Sequence, residues 1–195
     1  MPPASFRRAT TSWRTSSSSR LRRTSPRAAL AGILFSLLAI PAAADLEAGA
    51  AEGVLDAPLG LPLAGFTGRL GGIGPEPFDA RVSPLARLFW PSTALHTRPV
   101  AKAVALTAEG ETVVFVKADL IFADAFLLRA VEDLAGEATG EPLRGRVILS
   151  ASHTHNGPGR FTENTTLMAG ADTYDPSTFA RYAGSLADVV VAALR

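Results

Sequence analysis

Residues 146–159 read Arg146-Val-Ile-Leu-Ser-Ala-Ser-His-Thr-His-Asn-Gly-Pro-Gly159, a short apolar run that passes directly into polar and turn-forming residues. The apolar residues 147–149 are typical of a strand that is covered on both faces. After them, Gly157, Pro158 and Gly159 predict a turn, because proline restricts the residue before it and glycine lets the backbone approach a ligand closely. We therefore expect a buried strand that ends in a polar loop, and any chemistry to lie in that loop.

Two of the three histidines of the chain lie in this loop. In extended backbone, side chains two residues apart point the same way at a spacing of about 7 Å. His153 and His155 are therefore predicted to face one cavity, one holding a metal and the other a substrate, while Thr154 turns into the wall. The alternative is a surface loop with two solvated histidines, and a lone histidine pair does not decide between them.

The composition is that of a globular chain that can bury a core. Of the 195 residues, 47% are hydrophobic and 19% are charged, which is an ordinary balance for one domain. There is no cysteine, so disulfides and thiolate metal sites are excluded. Any metal must then be bound by histidine, carboxylate or phenolate groups, and zinc fits such ligands best.

Residues 1–44 have the composition of a targeting segment, with seven arginines and no acidic residue. Residues 28–40 form an apolar run of the length of a secretory signal, too short to span a bilayer as a helix, and small residues follow it. We expect a signal peptide at 1–44, a mature chain at 45–195 and a secreted or periplasmic location. An uncleaved membrane anchor is the alternative, and Arg22-Arg23 leaves the export route open.

Removal of the signal peptide would change the charge of the protein. Subtracting its seven arginines from the 19 Lys and Arg residues leaves 12, against 18 Asp and Glu residues, a formal net charge of −6. The basic residues that would favour nucleic acid thus belong to the signal peptide. We therefore expect no nucleic-acid partner.

The rest of the sequence predicts an α/β fold. Residues 45–95 are rich in Gly and Pro and are interpreted as ordered loop and edge strand. Strands at 100–107 and 112–119 flank a turn and predict a β-hairpin. Apolar residues then recur at helical spacing from Phe122 up to Gly136, which predicts a crossover helix with Asp124 near its start.

A strand, a crossover helix and a further strand of these lengths predict a right-handed βαβ unit, in which strands 112–118 and 146–151 are parallel. Asp175 as N-cap and Pro176 as the first helical residue predict a last helix with an apolar stripe. The expected architecture is a mixed sheet with a β-hairpin followed by a βαβ crossover and a C-terminal amphipathic helix.

The carboxyl ends of the two parallel strands predict where a site would lie. Parallel strands carry their sites at these ends, where Asp119 and His153 both fall. A hairpin register with Thr107 opposite Thr112 places Val100 opposite Asp119. The residues before Val100 are therefore expected at the same rim of the sheet.

His96 and Arg98 are the chemically interesting residues of that preceding segment. We expect His96, His153, His155 and Asp119 to lie within about 12 Å of one another, by the strand spacings used above. A register slip of one residue would turn Arg98 to the other face of the sheet.

The segment Ser150-Ala-Ser-His-Thr-His-Asn-Gly-Pro-Gly159 resembles the histidine motif of the neutral/alkaline ceramidases, the non-lysosomal zinc amidases that split ceramide into sphingosine and fatty acid. Three further pieces resemble that family in the same order. They are the opening segment at 53–66, the His-x-Arg segment Leu95-His-Thr-Arg98, and the first core strand Val114-Phe-Val-Lys-Ala-Asp119. Together these pieces span residues 53 to 160.

The resemblance implies a zinc site and a lipid substrate. In that family the first histidine of the pair binds Zn²⁺, which implies His153, and the second lies at the reacting amide, which implies His155. His96 and Arg98 are then expected near the substrate, and we add the Gly159 N–H as a donor to the oxyanion. The expected partner is ceramide or a related lipid amide, with transient contact to a membrane surface.

Members of the family are several times longer, and their other zinc ligands, a further His, a Glu and a Tyr, lie downstream of anything present here. Two hypotheses follow. The chain is a secreted zinc amidase, complete or as its N-terminal portion, or it is a non-catalytic or truncated domain without the complete zinc site. Because a catalytic zinc needs about three protein ligands, we expect the 195-residue chain alone to bind zinc weakly and to hydrolyse little ceramide.

Overall fold

The computed structural model describes residues 45–65, 69–71 and 82–195. Its strands are β1 (Leu46–Val54), β2 (Val100–Ala108), β3 (Glu111–Ala118) and β4 (Val147–Ala151), and its helices are α1 (Ala125–Thr139), α2 (Thr165–Ala171) and α3 (Pro176–Ala193). The sheet order is β1-β2-β3-β4, with β3 and β4 parallel and the other pairs antiparallel. The predicted α/β class with a mixed sheet is confirmed, whereas the signal peptide predicted at 1–44 lies outside the described residues.

The hairpin of β2 and β3 has the predicted register. Thr107 pairs with Thr112, and their hydroxyls are 2.9 Å apart. At the other end, the Asp119 N–H donates to the Val100 carbonyl at 2.9 Å, and the Val100 N–H donates to Oδ2 of Asp119 at 3.1 Å. This register places residue 119 and the segment before Val100 at the same rim of the sheet.

Helices α1 and α3 cover one face of the sheet. Since side chains alternate between the faces of a strand, every second residue of the central strands is buried beneath them, namely Ala101, Ala103, Ala105, Val114, Val116 and Ala118. The helices contribute the rest of this layer, with Leu127, Val131, Tyr182, Leu186 and Val190 fully buried. The core that supports the rim therefore lies between one sheet face and two helices.

The prediction that residues 147–149 are covered on both faces is wrong for the described residues. Ile148 is 51% exposed and Phe115, its partner on β3, is 46% exposed. Val104 on β2 lies in the same row and is also exposed. The physical reason is that α1 and α3 pack on only one face of the sheet. The apolar residues of β4 therefore did not indicate that both of its faces are covered.

Helix α1 has Asp124 at its start, as predicted, but ends later than the predicted crossover helix. Oδ1 of Asp124 caps it by accepting the N–H groups of Phe126 and Leu127 at 2.8 and 3.1 Å. The helix continues past Gly136, whose carbonyl accepts the N–H of Gly140, and ends there in a left-handed residue. Of the predicted apolar stripe, Leu127 and Val131 are buried, whereas Phe126 is exposed.

Helix α2 was not predicted. Asn164 caps it, since Oδ1 accepts the N–H groups of Thr166 and Leu167 at 3.0 and 3.3 Å. Its seven residues are too few for apolar periodicity to show in the sequence. Within the described ranges, none of the helices is long and apolar enough to cross a membrane.

Helix α3 begins as predicted, with Asp175 as its N-cap and Pro176 in its first turn. The pKa of Asp175 is lowered to about 2 from an ordinary 3.8, mainly by its hydrogen bond with the hydroxyl of Ser177. Burial raises this pKa, whereas hydrogen bonds from Thr178 and the charge of Arg160 lower it further. Because the pKa is depressed in the folded chain, the carboxylate contributes stability above about pH 4 that is lost as the pH falls towards about 2.

We expect Asp175→Asn to reduce this loss of stability on acidification, because asparagine still caps the helix but carries no titrating carboxyl. The measurement is the urea midpoint of both proteins at about pH 6 and about pH 3. The midpoint of the unaltered chain should fall more than that of the variant. Equal falls would show that Asp175 is not a source of the acid sensitivity.

Candidate functional site

His153 lies just beyond the end of β4, in a left-handed backbone conformation with φ 57°. That conformation is uncommon for a residue other than glycine and often marks a functional site. Its Nδ1 lies 2.7 Å from the carbonyl oxygen of Ile121. Because a carbonyl only accepts, Nδ1 carries a hydrogen, so in the neutral ring the lone pair is on Nε2, where it can bind a metal.

His155 lies beside His153, as predicted. The two Nε2 atoms are 3.4 Å apart, and the rings are nearly perpendicular, with centroids 5.0 Å apart. Since Nε2 of His153 carries the lone pair, a hydrogen bond between the neutral rings requires Nε2 of His155 to donate. The pair therefore combines one metal-binding nitrogen with one nitrogen that can move a proton.

Gly65 forms part of the wall behind the His155 ring. Its φ is 105°, and an added Cβ would lie 2.6 Å from Cγ of His155 and 2.9 Å from Cδ1 of Ile121. Its N–H donates to the carbonyl of Gly170 at 2.7 Å, which fixes its position. Only glycine satisfies both the backbone angle and the close approach of the imidazole.

We expect Gly65→Ala to destabilise the fold by roughly 1–3 kcal/mol and to displace the His155 ring. Gly110→Ala is the matched control, because Gly110 also has a positive φ, 80°, but nothing lies within 4 Å of its Cβ position. Chemical unfolding gives the stability difference, and the NMR signals of the His155 ring report its displacement. Similar losses in both variants, with unchanged ring signals, would mean that the imidazole contact is unimportant.

A cavity of about 550 Å³ opens at the carboxyl end of the sheet, the size of a small-molecule site. Its polar wall contains His96, Arg98, Asp119, Thr154 and Asn156, and its apolar wall includes Leu61, Leu63, Leu95 and Pro158. The predicted convergence of residues 96, 98 and 119 at one rim is confirmed. The carboxylate of Asp119 is already engaged with the Val100 N–H, which makes it a fixed part of the wall.

The histidine pair was expected to face one cavity while Thr154 turns into the wall, and its two Nε2 atoms do meet, at 3.4 Å. Thr154 and Asn156 line the cavity, and of the described residues His153 and His155 are not in its wall. The left-handed backbone of His153 is the physical reason, because it breaks the extended alternation on which the prediction depended. The expected 12 Å spacing between His96 and the histidine pair stays a prediction.

The glycines of the histidine loop pack against the opening segment. The Gly159 N–H donates to the Pro62 carbonyl at 2.8 Å, and the Ala64 N–H donates to the Gly157 carbonyl at 3.0 Å. Gly159 is buried. With its N–H engaged in this way, Gly159 has no donor directed at a substrate in this arrangement, which disfavours the oxyanion role expected for it.

Two residues that sequence reasoning missed support the loop. Arg69 donates from Nη1 to the carbonyl of His155 and from Nη2 to Oδ1 of Asn156, the latter at 3.0 Å. Asp172 is fully buried and accepts the N–H groups of residues 87, 88 and 89 on one oxygen. Arg69 is an isolated charge in a Gly-rich segment, whereas the sequence around Asp172 gave no such signal.

The described residues include side chains of the type that binds zinc, but too few of them lie together to form a zinc site. Neutral imidazoles are ordinary zinc ligands, and the hydrogen bond from His153 to Ile121 is the kind that orients one. In the parts of the chain that the structure describes, no group of three or more His, Cys, Asp or Glu side chains could hold a metal ion. A catalytic zinc site would therefore need further ligands from outside the described residues.

No family profile matches the sequence, and no curated protein matches it. Among solved structures, neutral ceramidase from Pseudomonas aeruginosa is similar, with a TM-score of 0.56 and 17% identity over 77% of this chain. A ceramidase complexed with C2 is similar as well, with a TM-score of 0.57 and 18% identity over 77% of this chain. The chain spans only 22% and 21% of their respective lengths. The fold is thus ceramidase-like over most of this chain.

Proposed function

We propose that this chain is the histidine-bearing part of a zinc-dependent amidase that hydrolyses the N-acyl bond of ceramide or a related lipid amide. The observation that carries the proposal is the pairing of His153 and His155, with the Nδ1 proton of His153 held by the Ile121 carbonyl. The ceramidase-like fold supports it, because the pair lies at the end of a strand in that fold.

His153 is the proposed zinc ligand, through Nε2. The Ile121 carbonyl keeps the proton on Nδ1 and holds the ring in one orientation, which raises the affinity of such a ligand. Zinc, when bound, would polarise the amide carbonyl and lower the pKa of a bound water. The further ligands would come from outside the described residues.

His155 is the proposed proton carrier. Hydrolysis adds the oxygen of water to the acyl carbon, breaks the C–N bond, and delivers a proton to the leaving amine. Nε2 of His155 lies 3.4 Å from Nε2 of His153, so it would be close to a water held by a metal on His153. To accept a proton from that water, the neutral His155 ring would have to carry its own proton on Nδ1, unlike the tautomer that donates to His153. The products are a fatty acid and a sphingoid amine.

The cavity beside the loop is the proposed place for part of the lipid. One wall is apolar and the other presents His96 and Arg98, an arrangement that suits an amphipathic molecule. We assign substrate contact to these two residues. Because the proposed substrate is a lipid, the protein would also contact a membrane surface transiently. The location is proposed as secreted or periplasmic, which mass spectrometry of an exported chain beginning at Asp45 would support.

A non-catalytic domain is the second candidate. The observation that favours it is the small number of metal ligands among the described residues. Such a domain would keep the fold and the cavity without turnover.

Zinc content and amide hydrolysis distinguish the two candidates. We expect the 195-residue chain alone to bind zinc weakly and to hydrolyse ceramide little, because missing ligands are replaced by water. A form extended by any coding sequence that follows in frame should bind zinc tightly and hydrolyse ceramide if that sequence supplies a His, a Glu and a Tyr. Extension that provides these residues without restoring zinc binding would exclude the amidase.

A further inference from the structure

Arg69 contacts the histidine loop from a distant part of the chain. Its Nη1 donates to the backbone carbonyl of His155 and its Nη2 to Oδ1 of Asn156, residues 86 and 87 positions away in sequence. The two hydrogen bonds span consecutive residues of the loop. A guanidinium group suits this arrangement because its planar fork presents two parallel donors.

The backbone around Arg69 is itself fixed. Its carbonyl accepts the N–H of Trp90 at 3.0 Å, and the N–H of Gly71 donates to the carbonyl of Leu88 at 2.7 Å. Leu70 forms an antiparallel bridge with Phe89 between these two bonds. Arg69 is therefore anchored to residues 88–90 and is not a side chain on an isolated loop.

Residues 87–89 are in turn held by the buried carboxylate of Asp172. Oδ2 of Asp172 accepts their three N–H groups at 2.9, 3.0 and 3.2 Å. Nη1 of Arg160 donates to the carbonyl of the neighbouring Leu85 at 3.0 Å. A continuous series of hydrogen bonds thus leads from the end of α2 through residues 85–90 to Arg69, and from Arg69 to the histidine loop.

We propose that Arg69 is a positioning residue, which fixes the backbone of His155 and Asn156 and thereby the imidazole of His155. Gly65 and Ile121 restrict the ring from one side, but neither restrains the carbonyl to which Arg69 donates. Asn156 also lines the cavity, so the same contact fixes part of the cavity wall. Only the catalytic consequence rests on the proposed amidase function; the structural consequence does not.

The test compares Arg69→Gln and Arg69→Lys with Arg144→Gln in the full chain. Arg144 is the matched control, because it also donates two hydrogen bonds, to Asp133 at 2.7 Å each, but on the exposed surface away from the loop. The chain has only three histidines, so their ring NMR signals can be assigned by replacing each one in turn.

We expect Arg69→Gln to shift or split the His155 ring signals while those of His96 stay unchanged. Arg69→Lys should give a smaller change, since lysine retains one donor, and Arg144→Gln should give none. Arg69→Lys also serves if the glutamine variant does not fold. His155 signals that are the same in all three variants as in the unaltered chain would overturn the proposal.

In a form with amide hydrolase activity, Arg69→Gln should lower kcat by about a hundredfold with little change in KM, the cost of misplacing a reacting group by about 1 Å. Arg69→Lys should recover part of this loss. Equal effects of Arg69→Gln and Arg144→Gln on kcat would overturn the catalytic part. If no form hydrolyses amides, the proposed function fails while the NMR comparison still decides the role of Arg69.

Discussion

His153→Ala is expected to abolish zinc binding and amide hydrolysis together, whereas His155→Ala is expected to retain zinc and lose turnover. The hydrogen bond that Nδ1 of His153 makes with the Ile121 carbonyl fixes the lone pair of that ring on Nε2. Loss of an outer partner of a ligand already costs about 10–100-fold in metal affinity, so loss of the ligand should cost more. Removal of a general acid or base typically lowers kcat by about 10²–10⁴-fold.

The measurement is zinc content by metal analysis, together with kcat and KM, on the active form and its two variants. His96→Ala is a useful companion, because a cavity residue that contacts only the substrate should mainly raise KM. Zinc loss in the His155 variant would mean that the roles of the two histidines are exchanged. Full activity of the His153 variant would show that His153 is not a metal ligand.

Asp172→Ala is expected to destabilise the fold by about 3–5 kcal/mol, the largest stability effect that we predict. The side chain is fully buried, and its two oxygens accept backbone N–H groups from residues 87, 88, 89 and 173. Alanine would leave these donors without partners, and its backbone would be strained at φ 66°. Urea unfolding of the variant against the unaltered chain measures the loss.

Asp172→Asn separates charge from hydrogen bonding in this effect. Burial alone would raise the pKa of Asp172, but the N–H groups of Arg87, Thr173, Phe89 and Leu88 outweigh it and hold the pKa below its ordinary value. The carboxylate therefore stabilises the fold above about pH 4 and loses this contribution as the pH falls below that. Asparagine should cost less than alanine near neutral pH and should weaken the acid sensitivity.

Asp133→Ala is the control for Asp172→Ala, because Asp133 lies on the surface with Arg144 as its partner. An exposed ion pair contributes little, so this variant should lose about 1 kcal/mol or less. A comparable loss in both variants would show that the buried carboxylate does not hold residues 87–89 in place.

The hairpin, the N-terminal caps Asp124 and Asp175 and the last helix could be predicted because the interactions that specify them are local. Thr107 meets Thr112 across a short turn, and Asp175 reaches the N–H of Thr178 within one helical turn. The same locality explains the errors. Short apolar runs do not report which face of a strand is covered, so Ile148 was expected to be buried and is exposed.

The amino-acid sequence by itself determined the strand that leads to His153, the register of the hairpin, and hence the rim at which residues 96, 98 and 119 meet. Local hydrogen bonding and side-chain alternation suffice for these features. Only the tertiary structure decided that Thr154 faces the cavity, that the Gly159 N–H is occupied by Pro62, and that Arg69 holds His155 from 86 residues away. Those contacts join segments remote in sequence, and their partners are set by how the loops pack on the core, which no short stretch of the chain encodes.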